Sequence, residues 1–478
     1  MKKKLLPALI VTGLIILVVI IMGITALINK YTPTKKTEDL KEYFNISSDD
    51  EAALIVDNEL SDYKAKIIDK KIYVDYKFVH DSLNSRFYWD ANENVLLYTT
   101  ASDIISAAAD SNSYSVTKQT NDFGYPIVKA TSDSALIALD YVKQYSNITF
   151  KSYDDPARIV ITSKWDEIDS ATVSKSTQVR VKGGIKSPIL KEVKKDDKIT
   201  ILDSGDKWDK IATEDGVIGY IKGKALSESK KTKLTNPDYE EETFTHIKKD
   251  KDICLAWNQV TSQSANSKVP QVISSTKGIN VMSPTWFYLN DNNGNLADIA
   301  SKDYVSYCHS QGIEVWGLFS NFENTDVDAA YVLTHTSTRT TLINQIMSAA
   351  FNYELDGVNI DFENITEAAY GDSYIEFIRE LAIKCHNNGI SLSVDVTVPA
   401  SFNKFFNRSD MANFADYIVI MGYDEHYKGS DAGSVSSIPW VTEGVESTLK
   451  EVPADQIILG MLFIPEYGSS LQRRTMMP

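Results

Sequence analysis

At 478 residues the chain is too long for one core and suits about three domains of roughly 150 residues each. Hydrophobic content of 43% with 10% aromatic residues describes ordered globular material and excludes a disordered chain. The formal net charge of −16 argues against nucleic acid as a main partner.

Lys2, Lys3 and Lys4 precede Leu5 to Ile28, a run without charge that is long enough to cross a bilayer core. Lysines ahead of the span favour a cytoplasmic N-terminus with the remainder outside. Residues 1–30 are therefore predicted to be a transmembrane anchor, which makes the chain a single-pass cell-membrane protein with the membrane itself as a partner. A cleaved signal peptide is the competing reading. Its apolar region should be shorter and end in a small-residue cleavage site, which Ile24-Thr25-Ala26-Leu27 matches poorly. Residues 31–45 form a tether, rich at first in Lys, Thr and Pro.

Residues 46–165 contain a weak repeat of strand, helix, strand, turn and strand. Lys71 to His80 leads to Phe87-Tyr-Trp-Asp and Val95-Leu-Leu-Tyr-Thr, and Tyr125 to Ala130 leads likewise to Ile148-Thr-Phe and Arg158-Ile-Val-Ile-Thr. Two such units imply one duplicated α+β module. It resembles the small repeated domain at the N-terminus of copper amine oxidases, which also occurs without copper in clostridial wall proteins. It carries no metal-ligand cluster, so a spacer or wall-binding role is implied. Residues 171–227 change to short strands between Gly and Asp turns, as a small β-barrel requires. The order Val179-Arg-Val, Gly205-Asp-Lys-Trp208, Gly219-Tyr220-Ile resembles bacterial Src-homology-3-like domains, which commonly bind wall peptides. Trp208 and Tyr220 serve as core at least as readily as ligand contacts. Residues 228–243, Lys-rich and then Glu-rich, read as a solvated linker.

Residues 244–478 have a different rhythm. Apolar runs begin at Ile253, Gly278, Glu314, Gly357, Leu392, Tyr417 and Ile457, and helical periodicity occupies Ala297 to Gln311, Thr338 to Tyr353, Tyr370 to Asn387 and Trp440 to Val452. This alternation predicts parallel strands with crossover helices and points to a (β/α)8 TIM barrel, although seven units are one short. Cys254, Cys308 and Cys385 are too widely spaced for ligand duty and read as small buried apolar residues.

The most telling stretch is Leu355-Asp356-Gly357-Val358-Asn359-Ile360-Asp361-Phe362-Glu363. In an extended strand Asn359, Asp361 and Glu363 share one face while Val358, Ile360 and Phe362 share the other. Burying an amide and two carboxylates costs several kcal/mol unless they are paired, on the order of transfer energies. Asp361 and Glu363 would lie roughly 6.6 Å apart along the strand, so that one charge raises the proton affinity of the other.

Asp-Gly-x-x-x-Asp-x-Glu at the end of a fourth barrel strand resembles the signature of glycoside hydrolase family 18, the chitinases and related N-acetylglucosaminidases. Met421-Gly-Tyr-Asp-Glu-His at the end of the sixth strand resembles the family's Met-x-Tyr-Asp motif, especially in members acting on bacterial and spore peptidoglycan. The likeness covers roughly 244–461. It implies that Glu363 is the general acid, that Asp361 orients the substrate's 2-acetamido group, and that Tyr423 donates to the acetamido oxygen while Asp424 lines the same subsite. It implies substrate-assisted catalysis with no metal and no cofactor. Asn359 stands where many chitinases have Asp; an amide can still hydrogen-bond Asp361, and wall-lytic members often carry Asn here. Trp257, Trp286 and Trp316, at or beyond strand ends, are candidate sugar platforms, with core packing an equal alternative. His386 and His426 read as a solvated helix end and a loop contact.

The family's seventh strand typically continues Met-Pro-Phe-Tyr-Thr-Arg-Ile-Trp, whereas this chain reads Met461-Leu462-Phe463-Ile464-Pro465-Glu466-Tyr467-Gly468. Deleting one C from ATG CCT TTT TAT ACC AGA ATA TGG gives ATG CTT TTT ATA CCA GAA TAT GG, which encodes the observed run. Residues 462–478 are thus expected to be a frameshifted tail that replaces the eighth strand and helix. The function expected is hydrolysis of a β-1,4-linked N-acetylglucosamine polysaccharide, peptidoglycan ahead of chitin. The alternative is a non-catalytic protein that grips wall glycan.

Overall fold

The computed structural model describes residues 2–363, 365, 368–427 and 429–461. The expected tail, 462–478, lies outside the described residues. The chain divides into two units, one of residues 1–83 with 136–241 and one of residues 84–135 with 242–478. The range 46–165 is thus shared between them.

In the first unit, Lys2–Tyr31 is a single helix. Within its stretch Leu9–Tyr31 the most apolar 18 residues have a mean hydropathy of 2.9, and the stretch is long and apolar enough to cross a membrane. One sheet runs in the order Thr149–Tyr153, Arg158–Thr162, Glu51–Val56, Glu59–Ile68, Lys71–Asp75 and Ala135–Ala138, with Glu51–Val56 parallel to Arg158–Thr162. An antiparallel sheet follows, ordered Ile189–Val193, Thr177–Arg180, Ile218–Lys222, Trp208–Thr213, Lys198–Asp203, Glu167–Thr172 and Lys230–Lys233. The two sheets share a core in which Ala53 and Ile55 pack with Val179, Ile211, Val217 and Ile221. Trp208 and Tyr220 are half-buried.

The second unit holds seven parallel strands in sequential order: Leu255–Asn258, Val281–Leu289, Glu314–Ser320, Gly357–Asp361, Ser391–Thr397, Tyr417–Met421 and Ile457–Gly460. They are called strands one to seven below. Helices Lys302–Ser310, Thr336–Tyr353, Ala368–His386 and Ile438–Thr448 fall within a few residues of the expected periods. Among the described residues no ladder joins strand seven to strand one, which gives a partial, TIM-barrel-like sheet. The alternation read in strand four holds: Val358 and Ile360 are fully buried and Phe362 nearly so, in the core with Ile346, Phe377, Ile378 and Leu381 of the flanking helices.

Local chemistry sets the entry to strand four. Helix Thr336–Tyr353 stops at Glu354, whose φ of +57° is left-handed and turns the chain back. Asp356 Oδ2 then accepts from Val315 N and from His309 Nε2, each at 2.8 Å, which pins strand four beside strand three. Gly357 is required because a Cβ there would lie 2.6 Å from the Trp316 ring.

The inner face of the sheet is graded. Near the strands' N-terminal ends it is apolar, filled by Val281, Trp316 and Tyr417 with Leu255 and Ile458 packed against them. Toward their C-terminal ends it becomes polar, with Ser283, Asn359 and Asp395 buried.

Residues 84–135 give this unit an antiparallel meander of strands Phe87–Asp90, Val95–Thr99, Ile104–Ala108, Ser113–Val116 and Gln119–Asp122. It is held to the helices behind the parallel sheet. Asp90 Oδ2 accepts from Thr336 N and Oγ1, both at 2.6 Å, and so caps the Thr336–Tyr353 helix. Tyr88 meets Ser373 at 2.8 Å, and Thr99 Oγ1 donates to Glu376 Oε1 at 2.7 Å. Arg379 pairs with the other oxygen of Glu376 at 2.9 Å, and Arg339, paired with Glu380 at 3.0 Å, lies 5.1 Å from the Tyr88 ring centroid.

Candidate active site

Strand four ends at Asp361, and Glu363 follows two residues later where the chain leaves the sheet. The backbone of Glu363 is clamped at two points by Asn321, just past strand three. Its N–H donates to Asn321 Oδ1 at 2.8 Å, and Asn321 Nδ2 donates to its carbonyl at 2.9 Å. This fixes the residue while its side chain stays exposed at the open end of the sheet. Contrary to the expectation of a buried group, Glu363 therefore faces solvent, and its carboxyl pKa is raised by partial loss of water and by the charges of Asp424 and Glu323.

Asp361 is more enclosed. Burial first, then the charges of Glu363 and Glu323, raise its carboxyl to about 7, and its Oδ1 has no hydrogen-bond partner among the described residues. Tyr423 and Asp424 follow strand six, with Asp424 at a left-handed φ of +69°. Burial and the carboxylates of Asp395, Asp361, Asp424 and Glu363 push the Tyr423 phenol well above the usual tyrosine range, so it remains a hydroxyl donor. Trp257, at the end of strand one, is half-buried and stands edge-on to Tyr423, with ring centroids 6.3 Å apart and planes at 87°. Its indole also covers strand seven, where a Cβ on Gly460 would lie 2.7 Å from the ring.

Asn359 ties these groups together from beneath. Its Oδ1 accepts from Trp257 Nε1 and from Ser283 Oγ, both at 3.0 Å, and its Nδ2 donates to Asp395 Oδ1 at 2.8 Å. The structure thus brings Asn359, Asp361, Glu363, Tyr423, Asp424 and Trp257 to one end of the sheet.

Trp286 and Trp316 are corrected. Both are fully buried. Trp286 packs on Phe287, Tyr304 and Tyr353 and donates to Asn266 Oδ1 at 2.8 Å. Trp316 stacks on Tyr417, with centroids 5.6 Å apart, at the apolar end of the inner face. Neither offers an exposed ring face to a sugar. Cys254 is also exposed rather than buried. His386 contacts Asp416 at 3.0 Å and His426 the Asp431 carbonyl at 2.8 Å, and among the described residues no group of His, Cys, Asp and Glu is arranged to hold a metal.

Asp395 and Tyr374 were not foreseen. Asp395 is 2% exposed on strand five, and Tyr374 is fully buried on helix Ala368–His386. The alternation Ser391, Ser393, Asp395, Thr397 is the polar-face signal that marked strand four, and it would have marked Asp395 too.

The arrangement is two carboxyls at the end of strand four, one enclosed and one open, faced by a hydroxyl donor and an aromatic ring. Residues 319–474 match the family model described as glycosyl hydrolases family 18. The match supports a family 18 domain here. The chain is 26% identical over 192 residues to "Uncharacterized glycosylase YvbX" of Bacillus subtilis, covering 37% of this chain, and 25% identical over 177 residues to the "Cortical fragment-lytic enzyme" of the same organism, covering 35%. It spans only 54% and 41% of the lengths of those two proteins. Among solved structures it is similar to a chitinase from Chromobacterium violaceum, with 21% identity and a TM-score of 0.39, covering 44% of this chain and 68% of that one. It is also similar to the spore cortex-lytic enzyme SleL of Bacillus megaterium, with 20% identity and a TM-score of 0.38, covering 43% and 49%. These are partial overlaps.

Proposed function

We propose that the chain is a glycosidase that cleaves β-1,4-linked N-acetylglucosamine-containing glycan, with peptidoglycan ahead of chitin, by substrate-assisted retaining catalysis. The observation that carries this reading is the pairing of Asp361 with Glu363 at the end of strand four, opposite Tyr423 and Asp424 at the end of strand six. The printed description of a relative as a cortical fragment-lytic enzyme supports a wall substrate.

In this reading Glu363, its proton affinity raised, protonates the leaving glycosidic oxygen. The carbonyl oxygen of the substrate's 2-acetamido group attacks C1 from the opposite face, giving an oxazolinium ion. Asp361 accepts from the acetamido N–H and its charge offsets the positive ring. Tyr423 donates to the acetamido oxygen and holds it in line, and Asp424 and Trp257 border the same sugar. Glu363, now a carboxylate, takes a proton from water as that water opens the oxazolinium at C1. The helix Lys2–Tyr31 would anchor the enzyme with this domain outside, and the two sheets of the first unit would serve as spacer or wall contacts.

The test is release of reducing ends from purified peptidoglycan and from chitin oligomers by the chain and by Glu363→Gln. Turnover by the native chain, lowered by about 10²–10⁴-fold in Glu363→Gln, is the expected result. A native chain that sediments with peptidoglycan but releases no ends would replace this reading with the non-catalytic, glycan-gripping one.

A further inference from the structure

Two buried carboxyls stand side by side at the inner face of the sheet. The register between strands four and five pairs Asn359 with Ser393 and Ile360 with Val394, so Asp361 lies beside Asp395. Neighbouring strands are about 4.8 Å apart, which brings side chains on the same face within reach of each other. Asp361 Oδ1, Asp395 Oδ2 and the Tyr374 hydroxyl are all buried, and none has a hydrogen-bond partner among the described residues. Two adjacent carboxylates cannot both stay ionised in such a place.

Asn359 decides which oxygen holds the proton. Trp257 Nε1 is a donor only, so the amide atom that it meets must be the oxygen, and the Ser283 hydroxyl then donates to the same atom. The amide nitrogen therefore faces Asp395 Oδ1 and donates to it. An oxygen that accepts from an amide is the carbonyl oxygen of a carboxylic acid, which leaves Oδ2 as the hydroxyl.

We propose that Asp395 is a positioning residue that carries the proton of this pair and donates it through Oδ2 to Asp361 Oδ1. Asn359, clamped by Trp257 and Ser283, sets the orientation of that acid. The groups that face the pair are Glu363 on its own strand's exit, Glu323 after strand three, Tyr374 from the helix behind, and Tyr423 with Asp424 after strand six, all acidic or phenolic. In such surroundings burial first, then the charge of Asp361, raise the Asp395 pKa well above the ordinary carboxylate range, against the lowering effect of the hydrogen bonds from Asn359 and Trp257. Once Asp361 has lost its own proton, above about pH 7, the hydrogen bond from Asp395 stabilises the carboxylate where an oxazolinium would form, a consequence that rests on the glycosidase reading. The place of the proton does not.

Asp395→Asn and Asp395→Leu separate the roles, because Asn keeps a donor in the same shape and Leu does not. Turnover on peptidoglycan is expected to be about ten- to hundredfold higher in Asp395→Asn than in Asp395→Leu. The acid limb of the surviving activity in Asp395→Leu should move to higher pH as Asp361 loses its donor. Independently of turnover, the infrared difference between the native chain and Asp395→Asn at pH 8 should show one protonated-carboxyl C=O stretch in the native chain. Absence of that band overturns the proposal, even if Asp395→Leu fails to fold. A band in a chain that hydrolyses no glycan leaves the proton placement standing and removes the glycosidase reading alone.

Discussion

Asp361→Asn is expected to stabilise the second unit at alkaline pH while abolishing the chemistry assigned to it. The Asp361 carboxyl is raised from 3.8 to about 7 by burial and by Glu363 and Glu323. About three pK units at roughly 1.36 kcal/mol each give a folding penalty of about 4 kcal/mol at most for the ionised form. The sign follows from proton counting. Below pH 3.8 the group is protonated folded or unfolded, and no penalty is felt. As pH rises toward 7 the unfolded chain gives up the proton while the folded chain keeps it, so stability falls, and above about 7 the loss is complete. Asparagine mimics the protonated acid and never ionises. Urea unfolding at pH 4, 6 and 8, followed by tryptophan fluorescence, should show native and variant midpoints together at pH 4, with the variant increasingly the more stable above it. Curves that stay parallel across this range would refute the argument, because they would mean that Asp361 is ionised at no cost to the fold.

Asn359→Ala should destabilise the same unit by about 1–3 kcal/mol, since Trp257 Nε1, Ser283 Oγ and Asp395 lose their shared partner; equilibrium unfolding checks it. Asp90→Ala removes the acceptor for Thr336 N and Oγ1 and should cost on the order of 1–2 kcal/mol, seen as faster amide exchange in the first turn of helix Thr336–Tyr353. Gly357→Ala places a methyl 2.6 Å from the Trp316 ring and should cost about 1–3 kcal/mol or more, read as a fall in Tm, whereas the same substitution at Gly184, with nothing within 4 Å and no left-handed φ, meets no such clash.

The parallel strands and their helices were legible because each strand is an apolar run and each helix keeps a 3.6-residue period. Strand four was legible in finer detail, since alternation separates Val358 and Ile360 from Asn359 and Asp361 in a way that burial reproduces. Alternation tells which residues share a face, but not which strand lies beside them. Spacing along the chain therefore pairs Asp361 with Glu363, two residues on, and gives no sign of Asp395 beside it in the sheet. Trp286 and Trp316 show the same limit from the other direction: position near a strand end does not say whether a ring points outward or into a neighbour such as Tyr304 or Tyr417. The docking of residues 84–135 on distant helices had no local signal at all, because it rests on single capping and hydroxyl contacts such as Asp90 with Thr336.

That docking has a cost in time. Asp90 precedes Thr336 by 246 residues, so at about 5–20 residues per second the meander emerges from the ribosome roughly 12–50 s before the helix it caps. Through that interval Tyr88, Asp90 and Thr99, which in the finished unit meet Ser373, Thr336 and Glu376, have none of those partners to cover their face of the meander. A chain laid out in this order exposes an adhesive strand set early and long, and its yield in the cell should depend on translation speed and on holding chaperones more than on its final stability.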